Sequence, residues 1–296
     1  MNYGQEDYLP YGHQLISEED IEAVNNVLRS EFITQGPLVD KFEQAIANKV
    51  HADYGVAVNS ATSALHLGCL SLGLGRGDWL WTSPITFVAS ANCARYCGAN
   101  VDFVDIDPET GLLSIKALER KLDNAKKQNK LPKILIPVHL GGSSCDMKSI
   151  GELSEKYGFS VIEDASHAIG SNYEKEPVGN CKYSSITIFS FHPVKIITTG
   201  EGGIATTNDS ELSRNMYELR SHGIVKDKNR LEASNQGEWF YEQQQLGFNY
   251  RITDIQCALG LSQLNRLDEI VQERNKLLTL YRNKLSSLPV ELLKIP

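Results

Sequence analysis

The chain has 296 residues, of which 41% are hydrophobic and 22% are charged, a composition typical of globular proteins. Its net charge of -8, without a dense Lys/Arg block, argues against a nucleic-acid partner. No apolar run approaches the roughly 18 residues of a membrane span, and the polar N-terminus lacks an apolar signal core, so we expect a cytoplasmic protein with no membrane partner.

The six cysteines include no C-x-x-C pair, and no histidine or second cysteine pair accompanies Cys93 and Cys97 in sequence. We therefore expect free thiols in a reducing compartment and no metal site.

Two helices are predicted near the start of the chain. Ser17 and Asp20 have the spacing of a capping box, and apolar residues recur at helical spacing as far as Leu28. A loop follows, and a second helix is predicted from Val39 to about Val50.

From Tyr54 onward, short β-rich segments alternate with helical patterns. The predicted strands are YGVAVN, WLWTSP, VDFVDID, KILIPVHLGG, FSVIEDASH and SSITIFSFH. The helices between them include SATSALHLGCLSLG, TFVASANCARYCG, residues 115–127 and SIGELSEKYG. This alternation predicts an α/β protein with three α/β/α layers around a mostly parallel sheet, in which ligands bind at the carboxyl ends of strands.

The last part of the chain has a different pattern. Residues 253–285 read as one long amphipathic helix, a pattern that often crosses between domains. The chain ends shortly after it, at Pro296.

Polar residues follow two of the predicted strands. In NSATSAL, small hydroxyl residues between a strand and a helix suit a phosphate, although plain helix capping by Ser60 or Thr62 is an equal alternative. In VIEDASH, one carboxylate of Glu163-Asp164 is expected to face the ligand edge and the other to point back, unless the pair is a cap or surface group.

Two further segments carry polar side chains. Lys195 lies in an apolar, glycine-flanked loop, where desolvation favours the neutral, nucleophilic amine; the alternative is an ordinary surface lysine. Asn249, Tyr250 and Arg251 cluster before the last helix, either as part of a site or as a structured loop.

A phosphate cradle, a carboxylate and a partly buried lysine together meet the requirements of pyridoxal phosphate (PLP). Lys195 would condense with the aldehyde, Asp164 would pair with the protonated pyridine nitrogen, and the cradle would hold the phosphate.

The chain resembles a known family in nine stretches that run from about Thr34 to Leu264. They are ITQGPLVDKFEQAIA, VNSATSALHLG, SPITFVASAN, FVDIDPETG, IPVHLGG, VIEDASHAIGS, SITIFSFHPVKIITTGEGG, LRSHG and GFNYRITDIQCALGLSQL. In these it is similar to the DegT/DnrJ/EryC1/StrS aminotransferases, which act on keto-sugars attached to nucleotides.

The resemblance implies the fold type I of PLP-dependent transferases, which is aspartate aminotransferase-like. It places a large PLP-binding domain at 31–252 and associates 1–30 with a smaller domain. Residues 253–296 would form an interdomain helix and the start of that small domain, which would be truncated because family members usually continue further.

The resemblance assigns roles around the cofactor ring. Lys195 would hold the cofactor and then move protons, and Asp164 would contact the pyridine nitrogen. His167 would lie near the ring hydroxyl, and Phe87 would stack on the ring. His192, beside the lysine, either contacts substrate or simply packs.

The resemblance also assigns the phosphate contacts. Thr62 and Ser63 match the phosphate-binding turn, and Ser190 matches a phosphate-contacting serine before the lysine. Asn249 matches an asparagine that reaches the phosphate of the neighbouring subunit, which implies a homodimer with shared active sites.

The implied reaction is transfer of an amino group, with glutamate as donor, to the C4 keto carbon of a UDP-linked 4-keto-6-deoxy-N-acetyl sugar. The most similar type serves the pseudaminic acid route to cell-surface polysaccharide. Amination at C3 or C4 of another dTDP- or UDP-linked keto-sugar, or an inactive truncated relative, remains as an alternative.

Two other activities fit the residues less well. Dehydratases of the same family lack the lysine, whereas Lys195 is present. A nicotinamide-dependent sugar enzyme is supported only by the α/β pattern and GLGRG at 73–77, because no G-x-G-x-x-G follows the first strand.

Overall fold

The computed structural model describes residues 12–233 and 237–296. The α-helices of this part are α1 Glu18–Leu28, α2 Pro37–Val50, α3 Ala61–Ser71, α4 Ala89–Tyr96, α5 Ile115–Lys127, α6 Met147–Tyr157, α7 Ser210–Arg220, α8 Asp254–Leu264 and α9 Leu267–Leu285. Its strands are β1 Tyr54–Val58, β2 Trp79–Thr82, β3 Asn100–Phe103, β4 Ile134–Ile136, β5 Ser160–Asp164, β6 Asn172–Tyr173, β7 Glu176–Pro177, β8 Ile186–Ser190, β9 Gly203–Thr207, β10 Ile224–Val225 and β11 Glu242–Gln243.

A seven-stranded sheet in the order β1-β9-β8-β5-β4-β2-β3 forms the centre of the molecule. Strands β8, β5, β4, β2 and β3 pair in parallel, whereas β9 is antiparallel to both of its neighbours, β1 and β8. The predicted mostly parallel α/β sheet is therefore confirmed.

Helices cover both faces of the sheet, because the central strands are apolar on both sides. Ile162 packs in the core formed with α3, α4 and α7, while the preceding Val161 packs in the core formed with α5 and α6. On this second face, α2 and α8 cover the remaining half of the sheet, around Phe189. The alternation of adjacent strand residues between two helical layers produces the three-layer architecture.

The helix starts follow from side-chain capping. Ser17 accepts a hydrogen bond from the backbone N–H of Asp20 and forms a capping box with it, as predicted. Helix α2 begins at Pro37, two residues before the predicted start. The buried carboxylate of Asp254 accepts the backbone N–H groups of Gly36 at 2.7 Å and Leu38 at 3.0 Å, which supplies a cap from a distant part of the chain.

The predicted single helix over 253–285 is wrong, because the chain forms α8 and α9 with a break at Asn265 and Arg266. Arg266 leaves helical geometry and donates to the buried Asp20 carboxylate at 2.6 Å, which ties the break to α1. The apolar pattern continues across the break because the fully buried Leu267 belongs to the same core as Cys257.

The sequence-based interpretation also missed strands. It did not assign β9 or the short pairs β6–β7 and β10–β11. None of the helices in the described residues is long and apolar enough to cross a membrane. The division into a large and a small domain stays a prediction, and residues 1–11 of its first segment lie outside the described residues.

Candidate active site

Lys195 lies in the loop that joins the antiparallel strands β8 and β9. The loop closes on itself, because Phe191 N–H donates to the Gly202 carbonyl at 2.9 Å and Thr199 N–H donates to the Phe191 carbonyl at 3.0 Å. Arg274 of α9 donates to the Lys195 carbonyl at 3.1 Å. The half-buried lysine therefore lies in a hydrogen-bonded loop at the carboxyl end of β8.

Asp164 is the last residue of β5, which pairs with β8. Its carboxylate is buried, and its Oδ2 accepts a hydrogen bond from the Ser90 hydroxyl at 2.6 Å. The backbone N–H of Ser166 donates to Oδ1 at 3.2 Å. Both carboxylate oxygens are thus held, and the residue faces the same layer as Ile162.

The charges of Lys195 and Asp164 act on each other and on His167. Burial lowers the pKa of Lys195 from its usual 10.5, and the negative charge of Asp164 acts in the opposite direction. Burial and the positive charge of Lys195 lower the pKa of His167, which Asp164 again opposes. The imidazole Nδ1 of His167 accepts the backbone N–H of Gly141 at 3.3 Å.

The lowered pKa of Lys195 predicts that this amine reacts with an acylating reagent at lower pH than exposed lysines do, because only the neutral amine is nucleophilic. Labelling of the cofactor-free protein across a pH series, read by peptide mass spectrometry, should give a midpoint below 10.5. In Asp164→Asn the midpoint should fall further, since the opposing charge is gone. A midpoint equal to that of the exposed Lys127 would contradict this interpretation.

Glu163 points to the opposite face of the sheet, as the predicted division of the acidic pair requires. Its carboxylate contacts His139 Nε2 at 2.7 Å and accepts the hydroxyls of Ser184 at 2.5 Å and Thr187 at 3.0 Å. Burial raises the pKa of a carboxyl, but these hydrogen bonds outweigh it and hold the pKa of Glu163 below its usual value. The hydrogen-bonding capacity of the Glu163 carboxylate is therefore used by protein groups on that face of the sheet.

The start of helix α3 forms the predicted turn. Ser60 is the N-cap, and its hydroxyl accepts the backbone N–H of Ser63 at 3.1 Å. The Ser63 hydroxyl donates to the side chain of Asn59 at 2.7 Å. Capping and phosphate binding are therefore compatible here: within the described residues, the backbone N–H groups of Ala61 and Thr62 have no hydrogen-bond partner.

The first residue of strand β9, Gly203, approaches this turn so closely that it leaves no room for a side chain at that position. A Cβ at Gly203 would lie 2.4 Å from the backbone nitrogen of Ala61 and 2.6 Å from the carbonyl carbon of Ser60. The glycines after Lys195 therefore let the lysine hairpin and the turn before α3 meet.

The remaining predicted residues differ in exposure. Phe87, just before α4, is 71% exposed, as a side chain that covers a ligand would be. Ser190 is buried at the end of β8, where its hydroxyl accepts the backbone N–H of His192 at 3.5 Å. His192 is exposed, and its Nδ1 accepts the backbone N–H of Val194 at 3.4 Å, so packing alone does not account for it.

Asn249 is exposed and pairs through its backbone with Ser221. The next residue, Tyr250, accepts the backbone N–H of Asn59 at 2.9 Å through its carbonyl oxygen. The segment therefore runs beside the turn before α3, but among the described contacts the Asn249 side chain has none with Lys195 or Asp164.

Sequence reasoning missed Ser90, which makes the shortest side-chain contact to Asp164. The contact spans 74 residues, so no local pattern encodes it. The available signal was a small polar residue one turn after Phe87, in the quoted stretch SPITFVASAN.

A model of the DegT/DnrJ/EryC1/StrS aminotransferase family matches residues 14–296. The chain belongs to this family. It is 41% identical over 273 residues to the UDP-4-amino-4,6-dideoxy-N-acetyl-beta-L-altrosamine transaminase of Campylobacter jejuni (strain 81-176), which covers 92% of this chain and 68% of that protein. It is 39% identical over 282 residues to the spore coat polysaccharide biosynthesis protein SpsC of Bacillus subtilis, and the match covers 95% of this chain and 70% of that protein.

Solved structures agree with this family assignment. Helicobacter pylori PseC, an aminotransferase involved in the biosynthesis of pseudoaminic acid, superposes with a TM-score of 0.84 at 34% identity and covers 95% of this chain and 71% of that one. The putative sugar aminotransferase Spr1654 of Streptococcus pneumoniae in its PLP-form gives a TM-score of 0.82 at 28% identity, and the match covers 94% of this chain and 72% of that one. The predicted fold type I and PLP cofactor are thereby confirmed: the protein is a PLP-dependent nucleotide-sugar aminotransferase.

The residues described above fit this cofactor. They provide a buried carboxylate for the ring nitrogen, an amine of lowered pKa, and two free backbone N–H groups at a helix start for the phosphate. When bound, PLP supplies an electrophilic carbon for amine exchange and a ring that accepts electrons.

Proposed function

We propose that this DegT-family enzyme transfers an amino group from glutamate to the C4 keto carbon of a UDP-linked 4-keto-6-deoxy-N-acetyl sugar. The observation that carries the proposal is the joint placement of Lys195 and Asp164 at the carboxyl ends of adjacent strands β8 and β5. The C4 position and the N-acetyl sugar are supported by relatives named as altrosamine transaminases. The product would enter a pseudaminic acid-type route to cell-surface polysaccharide in the cytoplasm.

Lys195 is the catalytic residue of the proposal. Its amine, Nζ, would hold the cofactor, and when free it would accept and donate the proton that amine exchange requires. Burial lowers the pKa of this amine, which favours the neutral form that can accept a proton.

Three side chains orient the ring in this proposal. Asp164 stabilises the protonated ring nitrogen, and His167 lies near the ring hydroxyl on the turn that follows β5. The exposed ring of Phe87 stacks on the cofactor and fixes the ring plane without adding charge.

The phosphate is held by the turn at the start of α3 that contains Thr62 and Ser63, with the backbone N–H groups of Ala61 and Thr62, which have no partner among the described residues, as donors, and by Ser190 at the end of β8. Asn249 contributes from the neighbouring subunit of a homodimer, since its exposed side chain is free to extend away from its own chain. Each active site then contains residues of two subunits.

A second candidate is amination of a different nucleotide-linked keto-sugar. The chain is 36% identical to the UDP-4-amino-4-deoxy-L-arabinose–oxoglutarate aminotransferase of Shewanella sediminis. That name supports glutamate as donor, because removal of its amino group yields 2-oxoglutarate, but it indicates a sugar without an N-acetyl group.

The test is incubation of the PLP-loaded protein with glutamate and a panel of UDP- and dTDP-linked 3-keto and 4-keto sugars. We expect the UDP-linked 4-keto-6-deoxy-N-acetyl sugar to gain one amino group, read by mass, with equimolar 2-oxoglutarate. Preferred amination of the arabinose-type or a dTDP-linked sugar would favour the second candidate. Absence of amination across the panel, in protein that has bound PLP, would identify an inactive relative.

A further inference from the structure

Ser90 is a fully buried serine in the first turn of α4. Its hydroxyl donates to Oδ2 of Asp164 at 2.6 Å, a distance typical of a charge-assisted hydrogen bond. The contact joins a helix to a strand end across 74 residues of sequence.

The single proton of this hydroxyl has three acceptors within reach: the Phe87 carbonyl, the Thr86 hydroxyl and Oδ2 of Asp164. The Phe87 carbonyl lies at 3.3 Å, whereas the charged Oδ2 of Asp164 is closer and attracts the proton more strongly. Thr86 Oγ1 lies 2.7 Å from Ser90 Oγ and can donate to it. The arrangement is a directed chain from Thr86 through Ser90 to the Asp164 carboxylate.

The same turn also carries Phe87. The backbone N–H of Ser90 donates to the Phe87 carbonyl at 3.2 Å, which links the backbones of the two residues within one turn. The bond from Ser90 to Asp164 therefore links the turn that carries Phe87 to the carboxylate.

We infer that Ser90 is a positioning residue that holds the Asp164 carboxylate, and with it Phe87, in the geometry that receives the cofactor ring. The inference rests on the proposed roles of Asp164 and Phe87. The Ser90 hydroxyl on Oδ2 and the Ser166 N–H on Oδ1 restrain rotation of the carboxylate and so favour one direction for its remaining lone pairs.

The test compares the wild-type protein with Ser90→Ala and Ser90→Thr. Ser154→Ala is the matched control, because the Ser154 hydroxyl of α6 donates to the Phe159 carbonyl between α6 and β5, on the opposite face of the sheet. For each protein, PLP affinity, the pH midpoint of the bound-cofactor absorbance and the melting temperature without PLP are measured.

We expect Ser90→Ala to weaken PLP binding about tenfold, as loss of a hydrogen bond to a charged group does. The pH midpoint of its absorbance should rise. A less well positioned Asp164 stabilises the positive charge on the ring nitrogen less, and that charge opposes protonation of the nitrogen contributed by Lys195. Ser90→Thr should recover both properties, and Ser154→Ala should change only the melting temperature.

A Ser90→Ala protein with wild-type affinity and midpoint would overturn the inference. If Ser90→Ala does not fold, Thr86→Val should shift the midpoint in the same direction by a smaller amount, and an unchanged midpoint there would also overturn it. A wild-type protein without bound-cofactor absorbance would instead overturn the proposed role of this site, so the two failures are distinguishable.

Discussion

Replacing Lys195 with arginine is expected to lower kcat at least about 10³-fold, because arginine keeps the positive charge but cannot condense with the cofactor or exchange a proton near neutral pH. Cofactor affinity should fall as well, since the covalent attachment is lost. The measurement is the full amination assay together with borohydride reduction of the PLP-loaded protein and peptide mass spectrometry. In the wild type, the reduced label should be found on Lys195 alone.

Lys126→Arg is the matched control, because Lys126 is exposed on α5 and lies on the side of the sheet away from α3 and α4. This variant should retain wild-type kcat and wild-type labelling. Recovery of the reduced cofactor on any peptide without Lys195, or a Lys195→Arg protein with substantial turnover, would refute the assignment of this residue.

Replacing Arg220 with methionine is expected to lower the free energy of unfolding by about 3–5 kcal/mol, because it leaves a buried charge without its partner. Arg220 at the end of α7 is buried, forms an ion pair with Glu43 of α2, and donates to the Ala57 carbonyl at 2.6 Å. Glu43 in turn accepts the Ala57 N–H at 2.8 Å. One ion pair thus joins two helices to strand β1.

The pH dependence of this effect has a defined sign. Burial raises the pKa of Glu43 above its usual 4.5, although Arg220 and the Ala57 N–H partly offset burial. Without Arg220 the folded-state pKa rises further, so the variant loses stability as the pH rises from 4.5 through that value. The loss of unfolding free energy relative to wild type should therefore be small in acid and largest at neutral pH.

Urea denaturation of the cofactor-free protein at two pH values measures both effects. The double variant Glu43→Gln with Arg220→Met should be more stable than Arg220→Met alone, because it removes the unpaired charge. Arg214→Met, which breaks only an exposed pair with Glu211 on α7, should change stability little. An Arg220→Met protein as stable as Arg214→Met would disprove a structural role for the buried pair.

Local patterns were sufficient to predict many elements of the fold. The helix predicted over residues 115–127 is α5 with its observed bounds, and in the structure Ser114 caps its start. The central strands were found because they are short apolar runs between helices. The candidate site could be predicted in outline, because Asp164 and Lys195 both follow such strands.

The features that sequence reasoning missed depend on contacts between distant residues. The Arg220–Glu43 pair spans 177 residues, and the Asp254 cap of α2 spans more than 200. The break between α8 and α9 depends on the contact of Arg266 with Asp20, while the apolar pattern continues through it. Such contacts form only when the layers pack, so periodicity cannot reveal them.

The pairing of β5 with β8 has a consequence for how this site can change. Asp164 lies opposite Ile188, two residues before β8 ends and the lysine loop begins. Deletion of one residue inside either strand would slip this register and turn one group of the pair toward the wrong helical layer. Evolutionary length variation that preserves catalysis is therefore expected in the surface connections of the chain rather than within these two strands.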